Sequence, residues 1–401
     1  MKALVISVGT GTRPTSKAVK NLAKALAYSI KNHNPDKTFF IVTQQSQKTT
    51  LPEILKIIKP KQYETITLKN ADNIQAIYET LNPKIKQIRK NFANLTIDYT
   101  SGTKAMTAAL AILATLHEAN TLSYITGKRI GGIVQPGTEQ IIPIHPYFAT
   151  TEQKIKTAIQ FFNKTQYATT ITILKEIQKT IKDPTITERI KPLLNLAKAY
   201  NLWDKFQHQK AFKILKKIKM EELAKNKQFL GQLINKIKEN QEPEPYLIAD
   251  LINNAERRAK EEQKYDDAVA RLYRTIELIA QHRLKTKYGI NPSEAKTEQI
   301  PPELLKKWNI PPQTEKIKLP LEKDYELLNA KGDELGKKYL QDRKLRNLLS
   351  KRNTSILAHG LTPVTQETYK QLYQKTIQYA KTAINNLKEL LEMSKFIKWK
   401  E

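Results

Sequence analysis

The chain has 401 residues and 40% hydrophobic content, enough for two or three domains with cores of their own. It contains no cysteine, which excludes disulfides, zinc–thiolate sites and thiol nucleophiles. Its net charge of +29 points to polyanionic partners, nucleic acid or an anionic nucleotide, against the plainer alternative of a Lys-rich solvated surface.

Residues 3 to 8 (ALVISV) read as a buried strand. No cleavage region follows, and no apolar stretch reaches the ~20 residues of a membrane span, so a soluble, cytoplasmic protein is expected. The strand ends in Gly9-Thr10-Gly11-Thr12-Arg13-Pro14, and a helix follows with Val19, Leu22, Ala23, Leu26 and Ala27 at helical spacing. Phe39 to Val42 is a second strand, running into polar Thr43-Gln44-Gln45-Ser46. Tyr63 to Leu68 is a third strand, residues 73 to 91 a helix, and Leu95 to Tyr99 a fourth strand. That strand runs into Thr100-Ser101-Gly102-Thr103-Lys104, followed by a small-residue helix to Leu116 and a strand from Thr121 to Ile125. The alternation predicts a Rossmann-like parallel sheet, with Gly131 to Ile144 as a hairpin around Pro136-Gly137.

Such sheets bind ligands where loops leave the carboxyl ends of the strands. Gly9, Thr10, Gly11 and Thr12 offer unhindered backbone N–H groups and hydroxyls there. Ser101, Gly102, Thr103 and Lys104 do the same at a helix N-terminus, where the dipole favours an anion. A phosphate or nucleotide cradle is the functional reading, and ordinary turn and cap chemistry the plain one. Neither loop carries the spacing of a dinucleotide fingerprint or a P-loop.

After His145 the chain reads as helical. Residues 152 to 240 form paired helices without a kept period, and Glu242-Pro243-Glu244-Pro245 breaks them. Tyr265 to Lys287 is the most regular helix, with Val269, Leu272, Ile276 and Ile279 as its apolar stripe. Beside the stripe stand Tyr273 and Glu277, with Arg274 three residues before Glu277. Glu277 is either half of an intrahelical ion pair or a group that orients a catalytic side chain. A Pro-rich stretch, 291 to 320, reads as a loop with one short helix, and 366 to 396 as a long closing helix.

Between them lies Arg352-Asn353-Thr354-Ser355-Ile356-Leu357-Ala358-His359-Gly360. If it is helical, Arg352 and His359 share a face, roughly 10 Å apart along the axis. Ser355 then stands one turn before His359. Arginine clamps phosphate and histidine shuttles protons, a pair suited to phosphodiester chemistry without a metal. The six histidines, His33, His117, His145, His208, His282 and His359, show no metal-ligand spacing.

Gly-Thr loops on a Rossmann-like sheet, the Thr100 to Lys104 turn and a late Arg-Asn-x5-His-Gly together resemble the CRISPR-associated CARF–HEPN ribonucleases of type III systems. Tyr265-Asp266-Asp267-Ala268-Val269-Ala270-Arg271-Leu272-Tyr273-Arg274-Thr275-Ile276-Glu277-Leu278 likewise resembles the first HEPN helix of one subfamily. The resemblance implies an α/β plus all-α fold: a CARF domain over 1–148, a helical-hairpin spacer over 149–244 and a HEPN domain over 245–401. It implies a homodimer with no cofactor that senses cyclic oligoadenylate, with the cyclic tetraadenylate favoured over the hexaadenylate, and cuts single-stranded RNA. Arg352, Asn353 and His359 would then be catalytic, with Ser355 and Glu277 in support. The loops at Gly9–Thr12 and Ser101–Lys104 would face the messenger, with Arg129 as a further ligand contact. A non-enzymatic sensor, a ring nuclease that degrades its own ligand, and a nucleotide-modifying enzyme on the sheet are the alternatives.

Overall fold

The computed structural model describes residues 1–11, 15–130, 133–181 and 183–400, with side chains throughout except at 129, 130, 133, 148 and 149. Two compact units divide the chain, Met1–Ile155 and Lys156–Glu401. No helix among the described residues is long and apolar enough to cross a membrane.

In the first unit, β1 (Lys2–Ser7) leads into α1 (Ser16–His33), β2 (Lys37–Thr43), α2 (Gln44–Lys48) and α3 (Thr50–Ile57). Then come β3 (Tyr63–Leu68), α4 (Ile74–Asn91), β4 (Asn94–Asp98), α5 (Lys104–Leu116) and β5 (Thr121–Thr126). These five strands are mutually parallel in the order β3-β2-β1-β4-β5. Central strands of such a sheet are covered on both faces, which is why β1 is a continuous apolar run and not an alternating one. Ala3, Val5, Phe39, Ile41 and Ile97 pack on one face with the apolar sides of α4 and α5. Leu4, Ile6, Phe40 and Val42 face the other way, onto Ala23, Leu26 and Ile30 of α1 and Leu51 and Ile54 of α3.

The expected hairpin around Pro136-Gly137 is not formed. Instead β6 (Arg129–Ile130) pairs with β7 (Ile133–Val134), while β8 (Gln140–Ile144) joins the main sheet antiparallel to β5. Pro143 lies in β8, and an edge strand tolerates its missing N–H. The 135–139 segment is therefore a connection between two sheets.

The second unit is helical. It comprises the end of α6 (Tyr147–Asn163), α7 (Tyr167–Thr180), α8 (Pro184–Trp203), α9 (His208–Leu215), α10 (Ala224–Lys238) and α11 (Glu244–Lys260). The middle helices are bonded into α11 by buried polar groups. One oxygen of Asp250 accepts from Trp203 Nε1 at 3.0 Å and pairs with His208 Nε2 at 2.8 Å. Asp204, which caps α8, meets Arg257 Nε at 3.1 Å and Asn254 at 2.9 Å and also pairs with Arg258. Truncating one member of such a buried set leaves the others unpaired, which costs far more than an exposed pair.

Next, α12 (Tyr265–Tyr288) ends on Gly289 at φ 66°, a left-handed cap that glycine adopts freely. Val269, Leu272, Ile276 and Ile279 are fully buried, and α12 packs against α11, α14 (Leu321–Ala330), α16 (Arg343–Asn353) and α17 (Gln366–Ala383). The Pro-rich stretch contains α13 (Pro302–Lys307) and a small pairing of β9 (Ala295–Lys296) with β10 (Lys316–Ile317). α15 (Glu334–Gln341) crosses α14 at Gly336, where a Cβ would stand 2.2 Å from the Asn329 nitrogen.

The closing helix expected over 366–396 is broken. α17 stops at Ala383, Ile384 is extended and buried, and α18 (Leu387–Met393) restarts after Asn385-Asn386, residues that compete with helix through their own side chains. The chain then crosses the middle helices as an extended tail. Asn163 donates to the Trp399 carbonyl at 3.0 Å and accepts from the Trp399 N–H at 2.7 Å. Phe396 lies between the Tyr200 ring, 4.0 Å away, and the Arg257 guanidinium, 3.8 Å away. Phe396→Ala is expected to weaken the helical unit by about 2–4 kcal/mol. Thermal unfolding should show a lower midpoint for that unit alone, and an unshifted midpoint would contradict the role given to the tail.

Candidate functional site

Strand order reverses between β1 and β4, and the loops that leave these two strands approach each other closely. A Cβ on Gly9 would come within 2.7 Å of the Gly102 nitrogen, so only glycine fits there. The Gly9 N–H donates to Ser101 Oγ at 2.8 Å, and that hydroxyl donates to the Ser7 carbonyl at 2.8 Å. Ser7 Oγ returns a bond to the Ser101 carbonyl. Beneath the second loop, buried Asp98 accepts from the Thr100 N–H at 2.9 Å and from Ser123 Oγ at 2.9 Å. Thr103 caps α5 through the Met106 N–H at 3.2 Å and also donates to the Ala71 carbonyl.

Above these loops lies a cavity of about 740 Å³, lined by Gly9, Thr10, Gly11, Ser101, Gly102 and Thr103 among others. Thr12 lies outside the described residues, as does the Arg129 side chain. Lys104 is exposed and does not line the cavity; among the described residues Lys69 does, as does Asp72. Gln44, Gln45 and Asn21 also line it, and none of these was singled out from sequence. The strand-end rule applies to β2 and β3 as much as to β1 and β4, so Thr43-Gln44-Gln45 and Lys69 were the available signal. Ser101 and Thr103 have their hydroxyls committed to the loops. Among the described residues, donors left to face a ligand are the backbone N–H groups of Thr10 and Gly11, the amides of Gln44 and Gln45, and Lys69.

The Arg352–Gly360 segment is not a helix throughout. α16 ends at Asn353, and turns follow to His359. Asn353, Thr354 and Ser355 are poor helix continuers, and Thr354 Oγ1 bonds back to the Lys351 carbonyl at 2.9 Å. Arg352 and His359 therefore do not stand two turns apart on one helical face. The loop doubles back instead. The His359 N–H donates to the Asn353 carbonyl at 3.1 Å and the Thr362 N–H to the Thr354 carbonyl at 3.1 Å. Gly360 is required for this return, because a Cβ there would stand 2.1 Å from the Thr354 carbonyl oxygen. Asp266 at the start of α12 holds the far end, accepting from the Val364 N–H at 3.2 Å.

This geometry brings Arg352 and His359 to the same turn of chain by way of Asn353. The Asn353 side chain accepts from Arg352 Nη1 at 3.4 Å, and His359 is exposed. Ser355 is placed differently from the expectation. It is 1% exposed, with no hydrogen-bond partner for its hydroxyl among the described residues, so it has no route to an external phosphate in this conformation. The expectation failed with the helix on which it rested.

Arg352 has a partner that sequence did not supply. Its guanidinium lies 4.7 Å from the centre of the Tyr273 ring, a cation–π contact. Burial, and then the charge of Glu277, hold the Tyr273 phenol above its usual range, with Arg352 pulling the other way. Glu277 itself pairs with Arg274 on its own helix at 2.6 Å. Among the described residues no group of three or more His, Asp or Glu side chains is arranged to hold a metal ion.

Comparison with known families gives three successive matches. Residues 15–147 match the Card1 CARF domain, 150–242 the Csm6 6H domain, and 236–383 the Csm6 HEPN domain. Among solved structures, Enterococcus italicus Csm6 bound to cyclic hexa-2′-fluoro-hexa-dAMP is similar, at 15% identity and a TM-score of 0.59. The match covers 98% of this chain and 98% of that one, and it is a likeness of fold. No curated protein matches the chain in sequence.

Next to Glu277, Asp324 on α14 is fully buried. Burial, reinforced by the charge of Glu277, raises its pKa to about 8. The folded protein thus holds a proton there that the unfolded chain releases near pH 4, so stability falls as pH rises from about 4 to about 8. Asp324→Asn is expected to flatten that decline. The check is the unfolding midpoint across this pH range, and an undiminished decline in the variant would show that Asp324 is not its source.

Proposed function

Because the chain belongs to the CRISPR-associated CARF–HEPN family, we propose that it is a cyclic-oligoadenylate-activated endoribonuclease that cuts single-stranded RNA in type III CRISPR defence. The observation that carries this reading is the return of the 354–362 loop, which sets exposed His359 beside Asn353 and Arg352. In the proposed reaction a ribose 2′-hydroxyl loses its proton as its oxygen bonds to the adjacent phosphorus. The bond to the 5′-oxygen breaks, and that oxygen takes a proton, leaving a cyclic phosphate end and a 5′-hydroxyl. Arg352 stabilises the charge that builds on the phosphoryl oxygens. His359 handles the proton at the leaving oxygen, a role worth roughly 10²–10⁴-fold. Asn353 fixes the pair, with its carbonyl on the His359 N–H and its amide oxygen on Arg352.

One arginine and one histidine make a sparse site, and a homodimer supplies a second pair across its dyad. Ile356, Leu357 and Leu361 support this, being 62%, 47% and 86% exposed on the loop that carries His359. Apolar side chains gathered this way favour cover by a partner. No metal is required by this chemistry, and a cytoplasmic location is consistent with it.

The cavity over β1 and β4 is assigned to cyclic oligoadenylate. The ring proposed is the tetraadenylate, with the hexaadenylate as the rival raised by the ligand of the Enterococcus italicus protein. Activation requires that the ring bind the active arrangement more tightly than the inactive one. Ligand cleavage in the same cavity is disfavoured by the commitment of the Ser101 hydroxyl to Ser7 and Gly9.

Fluorescent RNA cleavage is expected to be stimulated by a cyclic oligoadenylate and to persist in EDTA. His359→Ala should abolish it while keeping messenger affinity. A variant that cuts RNA normally would remove His359 from the site, and messenger binding without any RNA cleavage would favour the sensor reading. Tyr273→Leu is expected to lower kcat about tenfold or more by releasing Arg352, whereas Tyr273→Phe keeps the ring and most of the rate. Equal rates for the two variants would show that the ring is not a platform.

A further inference from the structure

α16 carries Arg343, Lys344, Arg346, Lys351 and Arg352 within 11 residues and no acidic residue. Its apolar side is spent on Leu345, Leu348 and Leu349, which are buried. Arg343, Arg346, Asn347, Ser350 and Lys351 are exposed and stand at i, i+3, i+4, i+7 and i+8, so they share a face. From Arg343 to Lys351 that face spans about 12 Å, and it runs directly into Arg352 and the loop that bears His359.

Local stability accounts for little of this arrangement: Arg346 donates to the Leu340 carbonyl at 3.1 Å, and nothing comparable holds Arg343, Lys344 or Lys351 among the described residues. Arg343 and Lys344 occupy the first turn, where the helix dipole disfavours cations. Arg343 and Arg346 repel each other at i,i+3. Asp342, the acid that precedes the helix, is taken by Lys375 at 2.7 Å and by the Leu345 N–H at 3.0 Å. None of the five cations has an ion pair among the described residues. On the two preceding long helices several cations are matched: Arg258 with Glu262, Lys260 with Glu256, Arg271 with Asp267, and Arg274 with Glu277.

We propose that this exposed face of α16 is a binding surface for the sugar–phosphate backbone of single-stranded RNA, which leads the strand to Arg352 and His359. The inference rests on the ribonuclease reading and adds to it a substrate requirement, namely a strand long enough to occupy the helix as well as the scissile site. The face has no aromatic ring among its side chains, so it grips phosphates and reads no bases. A second copy of the same face is a poor occupant, since a two-fold contact would set like charges against each other.

The test uses the full-length chain with saturating cyclic oligoadenylate. A triple variant, Arg343→Gln, Arg346→Gln and Lys351→Gln, is compared with the unaltered protein on a long single-stranded RNA and on a substrate of about four nucleotides. KM for the long RNA should rise roughly tenfold or more, and the slope of log affinity against log salt should fall by about two. kcat and the short substrate should be little affected. A control triple, Lys164→Gln, Lys175→Gln and Lys179→Gln, removes the same charge from the middle helices and should move neither quantity. An unchanged KM and slope overturn the inference, as does a fall in kcat alone or a control that reproduces the effect. Those results leave the ribonuclease reading standing, whereas failure of the unaltered protein to cut either RNA removes both.

Discussion

The approach of Gly9 to Gly102 governs the first unit. Two parallel strands run side by side, and the chain leaves them toward opposite flanks of the sheet, so their exit loops share one crevice. Ser7 and Ser101 cross-bond the loops, and Thr103 ties the second of them to the segment after β3 through Ala71. The loops after β1 and β4, and the segment after β3, are thereby fixed by bonds among small hydroxyl residues and by the lack of a side chain on two glycines. A ligand entering such a site meets backbone donors already aimed, and less of its binding energy is lost to ordering the loops.

The segment of Arg352 and His359 follows a different principle. Its geometry comes from three tethers that lie outside any regular element: the carbonyl of Asn353, the absent side chain at Gly360 and the carboxylate of Asp266 on another helix. Only Arg352 is braced by a packed ring, that of Tyr273. The helical unit thus gives Arg352 a packed platform and leaves His359 on a returning loop.

The sheet was legible because parallel strands announce themselves as unbroken apolar runs and their exit loops carry small polar residues. The stripe of α12 was legible for the analogous reason at helical period. The end of α16 was not, since its position depends on Asp266, 98 residues away from Val364, and on a clash that appears only when Gly360 is already folded against Thr354. Local spacing made Ser355 and His359 neighbours on a face that the chain abandons. Gln44, Gln45 and Lys69 are hidden in the sequence because a polar run after a strand looks the same whether it caps a helix or lines a cavity. Glu277 remained ambiguous on sequence, and its bond to Arg274 coexists with a charge felt by both Tyr273 and Asp324.

The tail that crosses the middle helices bears on how the protein is made. Asn163 and Trp399 are 236 positions apart, and Asn226 is bonded to the carbonyls of Met393 and Lys395. Contacts of such separation form late, because a long loop must close before they yield anything. Domains generally fold as units during synthesis, from the N-terminal end, and the sheet needs nothing beyond its own residues. In the second unit Phe396 fills the gap between Tyr200 and Arg257, a contact between residues far apart in sequence. On the ribosome, the unit that holds the sheet therefore emerges first, and the unit that bears Arg352 and His359 gains the contacts of Asn163 and Asn226 only once residues 393–399 have followed.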